Sequence, residues 1–212
     1  MMNTEETLTQ IAQEVSVCKK CPLHKTRKIA VAGEGPANAE IMFIGEGPGF
    51  HENEQGRPFV GASGKFLDNL LAQAGVTRAD VFIANVVKCR PPDNRDPQTK
   101  ELDACDKYLE RQIKTINPSI IVTLGRFSMN KFMKGAKISQ VHGEMRKIDD
   151  RYVIAMFHPA AALHQAALKP TILADFARLP EQLNEARKAL GRPVRKIKKT
   201  EPKKDPKQLN LF

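Results

Sequence analysis

The chain has 212 residues, 41% of them hydrophobic, enough for one globular domain to fold without disulfide staples and too few for several domains. Thirty-four Lys and Arg against 24 Asp and Glu give a formal charge of +10, which favours a polyanionic partner, nucleic acid first. No apolar run reaches the roughly 18 residues of a membrane span, and the polar start Met1-Met2-Asn3-Thr4-Glu5-Glu6 is unlike a signal peptide, so a cytoplasmic, reducing setting is expected, where cysteines bind metal more often than they pair.

In chain order, Leu8, Ile11, Ala12 and Val15 predict a short amphipathic helix over 1–17, leading directly into Cys18. Apolar runs at 40–45, 81–87, 119–125 and 152–157 predict four strands, and helices are expected over 62–71, 99–116, 127–133 and 170–190. Strands alternating with helices imply a three-layer α/β/α sandwich around a mainly parallel four-stranded sheet, with ligands gathering beyond the carboxyl ends of the strands. Three candidate functional positions stand at such ends: Glu46, Asn85 and His158. Residues 1–190 form the expected domain. Residues 191–212 read as a basic, disordered tail: Arg192 to Lys207 holds eight Lys and Arg against two acidic residues, interleaved with prolines.

The chain has four cysteines, Cys18, Cys21, Cys89 and Cys105. The first two share one tight turn, while the others are sixteen positions apart, and four thiolates suit either zinc or a [4Fe-4S] cluster, so spacing alone leaves the metal open. Gly45-Glu46-Gly47-Pro48-Gly49 follows a strand but lacks the Lys-Ser/Thr of a phosphate-binding P-loop and the G-x-G-x-x-G of a dinucleotide site.

Together with the residues after it, that loop resembles a more specific pattern. Gly45 to Gly61, including His51-Glu52-Asn53-Glu54 and Arg57-Pro58-Phe59-Val60-Gly61, looks like motif 1 of the family 4 (type A), iron-sulfur uracil-DNA glycosylases. Asn85-Val86-Val87-Lys88-Cys89-Arg90-Pro91-Pro92 and His158-Pro159-Ala160-Ala161-Ala162-Leu163 match that family's next signatures, and the resemblance runs from Cys18 to about Leu179. It implies a uracil-DNA glycosylase-like fold and a hydrolase that removes uracil from DNA to start base excision repair. It also implies one [4Fe-4S] cluster on Cys18, Cys21, Cys89 and Cys105.

By the same resemblance Phe59 stacks on uracil, Asn85 reads its Watson-Crick edge and His158 donates to the developing O2 anion, with Gly47 allowing close backbone approach. Glu46 and Glu52 are the candidate carboxylates for positioning water and stabilising the cationic sugar, with Glu46 expected to position water. Leu163 is the expected wedge in the vacated stack, and Lys65, Lys88, Arg90 and Arg95 the expected phosphate contacts. One departure is Glu52-Asn53, where the family usually carries an acidic pair. A related crosslinking branch carries a histidine nucleophile after the Asn-bearing strand; this chain has none there, which favours hydrolysis.

The chain closes on Gln208-Leu209-Asn210-Leu211-Phe212, which resembles the pentapeptide by which bacterial repair and replication proteins bind the sliding clamp. Leu209, Leu211 and Phe212 would fill an apolar groove while Gln208 fixes orientation. The expected protein is a monomer acting on uracil in single- or double-stranded DNA, with no membrane partner. Two other readings remain open on sequence: an iron-sulfur DNA sensor without glycosylase activity, and a nucleotide-binding electron-transfer module.

Overall fold

Ile41-Met42-Phe43-Ile44 carries no polar side chain, so it needs apolar cover on both faces, which a central strand of a parallel sheet receives. In the computed structural model, which describes residues 3–194, this run is strand β1, an interior strand of such a sheet. The elements follow as α1 (Thr4–Ser16), β1 (Ile41–Gly45), α2 (Phe50–Gln55), α3 (Ala62–Gln73), β2 (Val81–Asn85), α4 (Thr99–Ile116), β3 (Ile120–Leu124), α5 (Arg126–Phe132) and α6 (Ile138–Val141). After these come β4 (Met145–Ile148), β5 (Arg151–Met156), α7 (Pro159–His164), α8 (Lys169–Ala177) and α9 (Leu179–Ala189).

Strand order is β2-β1-β3-β5-β4, with every pair parallel except β4 against β5. The sheet thus has five strands, not four. The added edge strand was hidden because Met145-Arg146-Lys147-Ile148 is half exposed and carries two charges, as solvent-facing edges do, and it is joined to β5 by a tight turn with Asp149 at φ 52°.

Alternate residues of the strands point to opposite layers. Phe43, Val122 and Ile154 pack with α3, α8 and α9 through Leu67, Leu71, Phe176 and Leu183. Met42, Ile44, Ile121 and Val153 pack with α4 and α5 through Leu109, Ile113 and Met129. Helix α1 starts with a reciprocal cap between Asn3 and Glu6 and lays Ile11 and Val15 on Tyr108 of α4. The single helix expected over 170–190 is two, because Pro180 begins a new helix and Arg178 closes the old one on the Asp175 carbonyl. At the far end, Arg192 donates to Ser119 Oγ (2.8 Å) and the Asn117 carbonyl (2.9 Å). The pentapeptide 208–212 lies outside the described residues.

The chain steps from β1 outward to β2 and then crosses back to β3, so the order reverses beside β1. The crevice beyond the carboxyl ends there is where such sheets bind ligands.

Candidate active site

That crevice is a cavity of about 370 Å³, and Glu46, Gly47, Glu52, Phe59, Asn85 and His158 all line it. Ser63, Asn94 and His164 line it too; sequence reasoning did not single them out, since a lone Ser, Asn or His in a loop or helix start gives no signal without the fold.

Asn85 ends β2 directly opposite Gly45. A methyl group on Gly45 would approach Asn85 Oδ1 to 2.5 Å and the Phe59 ring to 2.7 Å, so the glycine is what lets amide and ring meet. Asn85 is 1% exposed, and its Oδ1 is buried without a hydrogen-bond partner. Leaving a buried acceptor unpaired costs about 1–3 kcal/mol, so a ligand donor there would be rewarded.

Phe59 occupies a left-handed backbone conformation, φ 53°, uncommon for an aromatic residue. Two neighbours hold it. A methyl on Gly64 would fall 1.9 Å from the Phe59 carbonyl oxygen, so α3 packs directly on this backbone. Arg78 donates to the Phe59 carbonyl (3.0 Å) and to that of Pro58, and is itself paired with Asp68 (3.0 Å). The ring then lies 5.4 Å from the His158 ring, the two planes 27° apart.

His158 follows β5 and caps α7, its Nδ1 accepting from the Ala160 N–H at 3.1 Å. An accepting Nδ1 places the proton of the neutral ring on Nε2. Burial pushes its pKa down to about 4, against a small opposing pull from Glu52, so the ring is a neutral donor near pH 7. Gly125, at φ 90°, gives it room: a methyl there would sit 3.2 Å from His158 Cβ.

The two carboxylates differ. Burial raises the pKa of Glu46 above the usual carboxylate value, with Asp96 adding and Arg126 opposing. Glu52 is employed otherwise: its Oε1 accepts from the N–H groups of Val60 (2.8 Å) and Gly61 (3.0 Å), its Oε2 from Gly49 (3.1 Å). It clasps the strand-end loop to the start of α3. Asn53, where the family usually has an acid, takes the Lys28 N–H on its Oδ1 at 2.9 Å, tying the preceding loop to α2.

Of the expected phosphate contacts, Lys88 must be withdrawn. It is 1% exposed and donates to Gln112 at 2.7 Å, and burial lowers its pKa to about 8. Arg95 lines the cavity but is held bidentately by the buried Glu101 (2.8 and 2.9 Å), whereas Lys65 is exposed. Leu163 is 51% exposed, between the lining residues Ala160 and His164.

All four cysteines are free thiols, Cys89 and Cys105 buried. Burial raises Cys21 and Cys89 and pushes Cys105 to about 11, and the neighbouring thiols raise each of them further, which places the four in one neighbourhood. Thiols raised in this way ionise when a metal binds them. Among the described residues no three His, Cys, Asp or Glu are close enough to hold a single metal ion. Four thiols in one neighbourhood are a donor set that suits a thiolate-held metal group. Arg27 donates to Cys89 Sγ at 3.2 Å, a contact of the kind that orients a ligand sulfur.

Comparison with known proteins agrees with this geometry. The family model described as the uracil DNA glycosylase superfamily matches residues 32–179, which include every cavity residue named above and the second cysteine pair. A type-4 uracil-DNA glycosylase of Archaeoglobus fulgidus is 45% identical over 186 residues, covering 83% of this chain and 93% of that protein. Another type-4 uracil-DNA glycosylase, from Saccharolobus solfataricus, is 46% identical over 84% of this chain and 88% of its own length. That of Thermotoga maritima is 42% identical over 82% and 94%.

Proposed function

Because the chain belongs to the type-4 uracil-DNA glycosylases, within the uracil-DNA glycosylase superfamily, we propose that it hydrolyses the N-glycosidic bond of uracil in DNA with the residues gathered at the ends of β1, β2 and β5. One observation carries the residue assignment. The buried, unpartnered Asn85 Oδ1 faces a cavity whose other wall presents the neutral His158 ring.

The substrate base must leave the stack to reach this cavity. Asn85 then accepts from uracil N3–H on Oδ1 and donates to O4 from its amide nitrogen. Cytosine presents the reversed pattern and would leave the amide unpaired, a large penalty for a buried group. Phe59 supplies the stacking face. As the bond lengthens, negative charge grows on the base and positive charge on the sugar. His158 donates from Nε2 to uracil O2, and its neutrality matters because it need not lose a proton to act. Glu46 accepts a proton from the attacking water and faces the cationic sugar. Glu52 acts at one remove, holding the Gly49 and Val60–Gly61 backbones that shape the wall. Leu163, exposed beside the cavity, fills the vacated stack.

Cys18, Cys21, Cys89 and Cys105 would hold one [4Fe-4S] cluster. Its chemistry there is structural, since glycosidic hydrolysis moves no electrons. The remainder of the reading is a monomer of the cytoplasm that accepts single- and double-stranded DNA. Residues 191–212 form a basic tail whose pentapeptide Gln208, Leu209, Leu211 and Phe212 engages a bacterial sliding clamp. Among the described residues no helix is long and apolar enough to cross a membrane.

The test incubates anaerobically purified protein with a labelled oligonucleotide containing one uracil, followed by alkali, beside Asn85→Ala. Cleavage at the uracil, lowered roughly 5- to 150-fold in the variant as a lost buried hydrogen bond requires, is expected. An intact, tightly bound strand would replace hydrolysis by a binding role, and a heat-stable protein-DNA adduct by crosslinking.

A further inference from the structure

Six large apolar side chains stand exposed among the described residues, and only Phe50 and Leu163 are chain neighbours of residues that line the cavity. Leu163 lies beyond β5. Phe50 lies on the opposite flank, at the first turn of α2, 54% exposed and directly after the lining residue Gly49. Its ring meets the His51 ring edge-on, centroids 5.5 Å apart, and has a charged partner as well. The Arg90 guanidinium sits over its ring, 5.4 Å from the centroid, and the Arg90 Nε is fixed by Asn94 Oδ1 at 2.8 Å. Asn94 itself lines the cavity and is held, with Asp93, in a left-handed turn, φ 54° and 53°.

A core phenylalanine would be covered, whereas Phe50 is exposed beside the cavity lining with a cation over its ring. An aromatic face and a cation presented together at a cavity mouth are the two elements of a single-strand platform, in which bases stack on the ring and the cation meets the phosphate. Extruding uracil also leaves the adjacent base without a stacking partner on one side. We propose that Phe50, backed by Arg90, is a stacking shelf for the base next to the extruded uracil on the same strand, with Leu163 acting from the other flank. This rests on the glycosylase reading above and adds to it a second contact point that fixes the strand's path.

The shelf predicts that single-stranded substrate depends on Phe50 more than duplex does, because in duplex the neighbouring base keeps its paired stack. The test uses the full chain with its cluster and a single-stranded oligonucleotide carrying 2′-fluoro-deoxyuridine, whose glycosidic bond resists cleavage, with 2-aminopurine placed on its 5′ or its 3′ side. Wild type is expected to quench one of the two probes, and Phe50→Trp to retain the quench. Phe50→Leu and Phe50→Ala should lose it, binding the single strand roughly 5- to 100-fold more weakly, the range of one base-aromatic stack. Phe50→Leu keeps apolar bulk without a π face, so it separates stacking from packing, and melting temperatures show whether each variant folds.

Leu and Ala variants that quench and bind like wild type overturn the shelf. Wild type that releases uracil from an ordinary substrate but quenches neither probe overturns it as well and leaves the enzyme reading intact. Wild type that releases no uracil overturns the enzyme reading, while a quench lost in Phe50→Leu still supports the shelf as a DNA contact.

Discussion

The candidate cavity and the cysteine neighbourhood are joined by five residues, Asn85 to Cys89, yet they are built on opposite plans. On the cavity side an acceptor is left unpaired at Asn85 and a phenylalanine is held at φ 53°. On the cysteine side polar groups are already engaged. Arg27 reaches the carbonyls of Ser16 (2.7 Å) and Cys18 (2.8 Å) as well as Cys89 Sγ, while Lys88 reaches Gln112, which in turn donates to the Ala32 carbonyl (2.8 Å). Buried polar groups are normally satisfied; among the described residues the unpartnered buried side-chain atoms are Asn85 Oδ1 and Gln182 Oε1, and of these Asn85 lines the cavity. The first region is arranged to receive a passing substrate and the second to hold a resident group.

If that contrast is right, substitutions in the cavity change rate without changing the fold. Glu46→Gln should lower kcat about 10²- to 10⁴-fold, the usual worth of a positioned general base, with melting temperature nearly unchanged. His158→Ala should cost about 10²- to 10³-fold in kcat, as loss of one donor to a developing anion does. Single-turnover release of uracil measures both. A Glu46→Gln enzyme within threefold of wild type would remove the base from the mechanism.

The pH dependence sharpens the same contrast. Glu46 must be ionised to accept a proton, and burial raises its pKa above the ordinary 4.5, so activity should fall on acidification at a pH above the usual carboxylate range. The limb should have a one-proton slope and vanish in Glu46→Gln. His158 has a depressed pKa, so between its ordinary 6.5 and about 4 the unfolded chain binds the proton that the folded chain refuses. That refusal costs stability progressively as pH falls through this window, and His158→Gln should flatten the melting temperature there.

The sequence made the site more legible than the sheet. Glu46, Asn85 and His158 were recognisable because each directly follows or ends an apolar run, and a parallel sheet brings such ends together whatever the loops do. Strand β4 was not, because two of its four residues are charged and its cover is solvent. Lys88 misled for a related reason: charge suggests a surface, but the segment after β2 is buried throughout and the ammonium is taken up by Gln112 of α4. Arg78 carried no signal at all, since its task is to hold two backbone carbonyls whose position only the fold supplies. Glu52 was legible as important but not as a clasp.

The smallest expected effect lies on the cysteine side. Arg27 donates to the sulfur of a proposed ligand and ties two backbone carbonyls around another, so its loss removes orientation and positive charge without removing a ligand. Contacts of this kind are worth about 10- to 100-fold in metal affinity and adjust cluster potentials through hydrogen bonds to sulfur. Arg27→Gln should therefore bind the cluster but lose its visible absorbance several-fold faster under chelator and air, with a lowered midpoint potential. Arg27→Lys should rescue only in part, because an ammonium cannot reach three acceptors with a planar fork. Cluster loss at the wild-type rate would mean that Arg27 serves the loop alone, and the two regions would then differ less than their hydrogen bonds indicate.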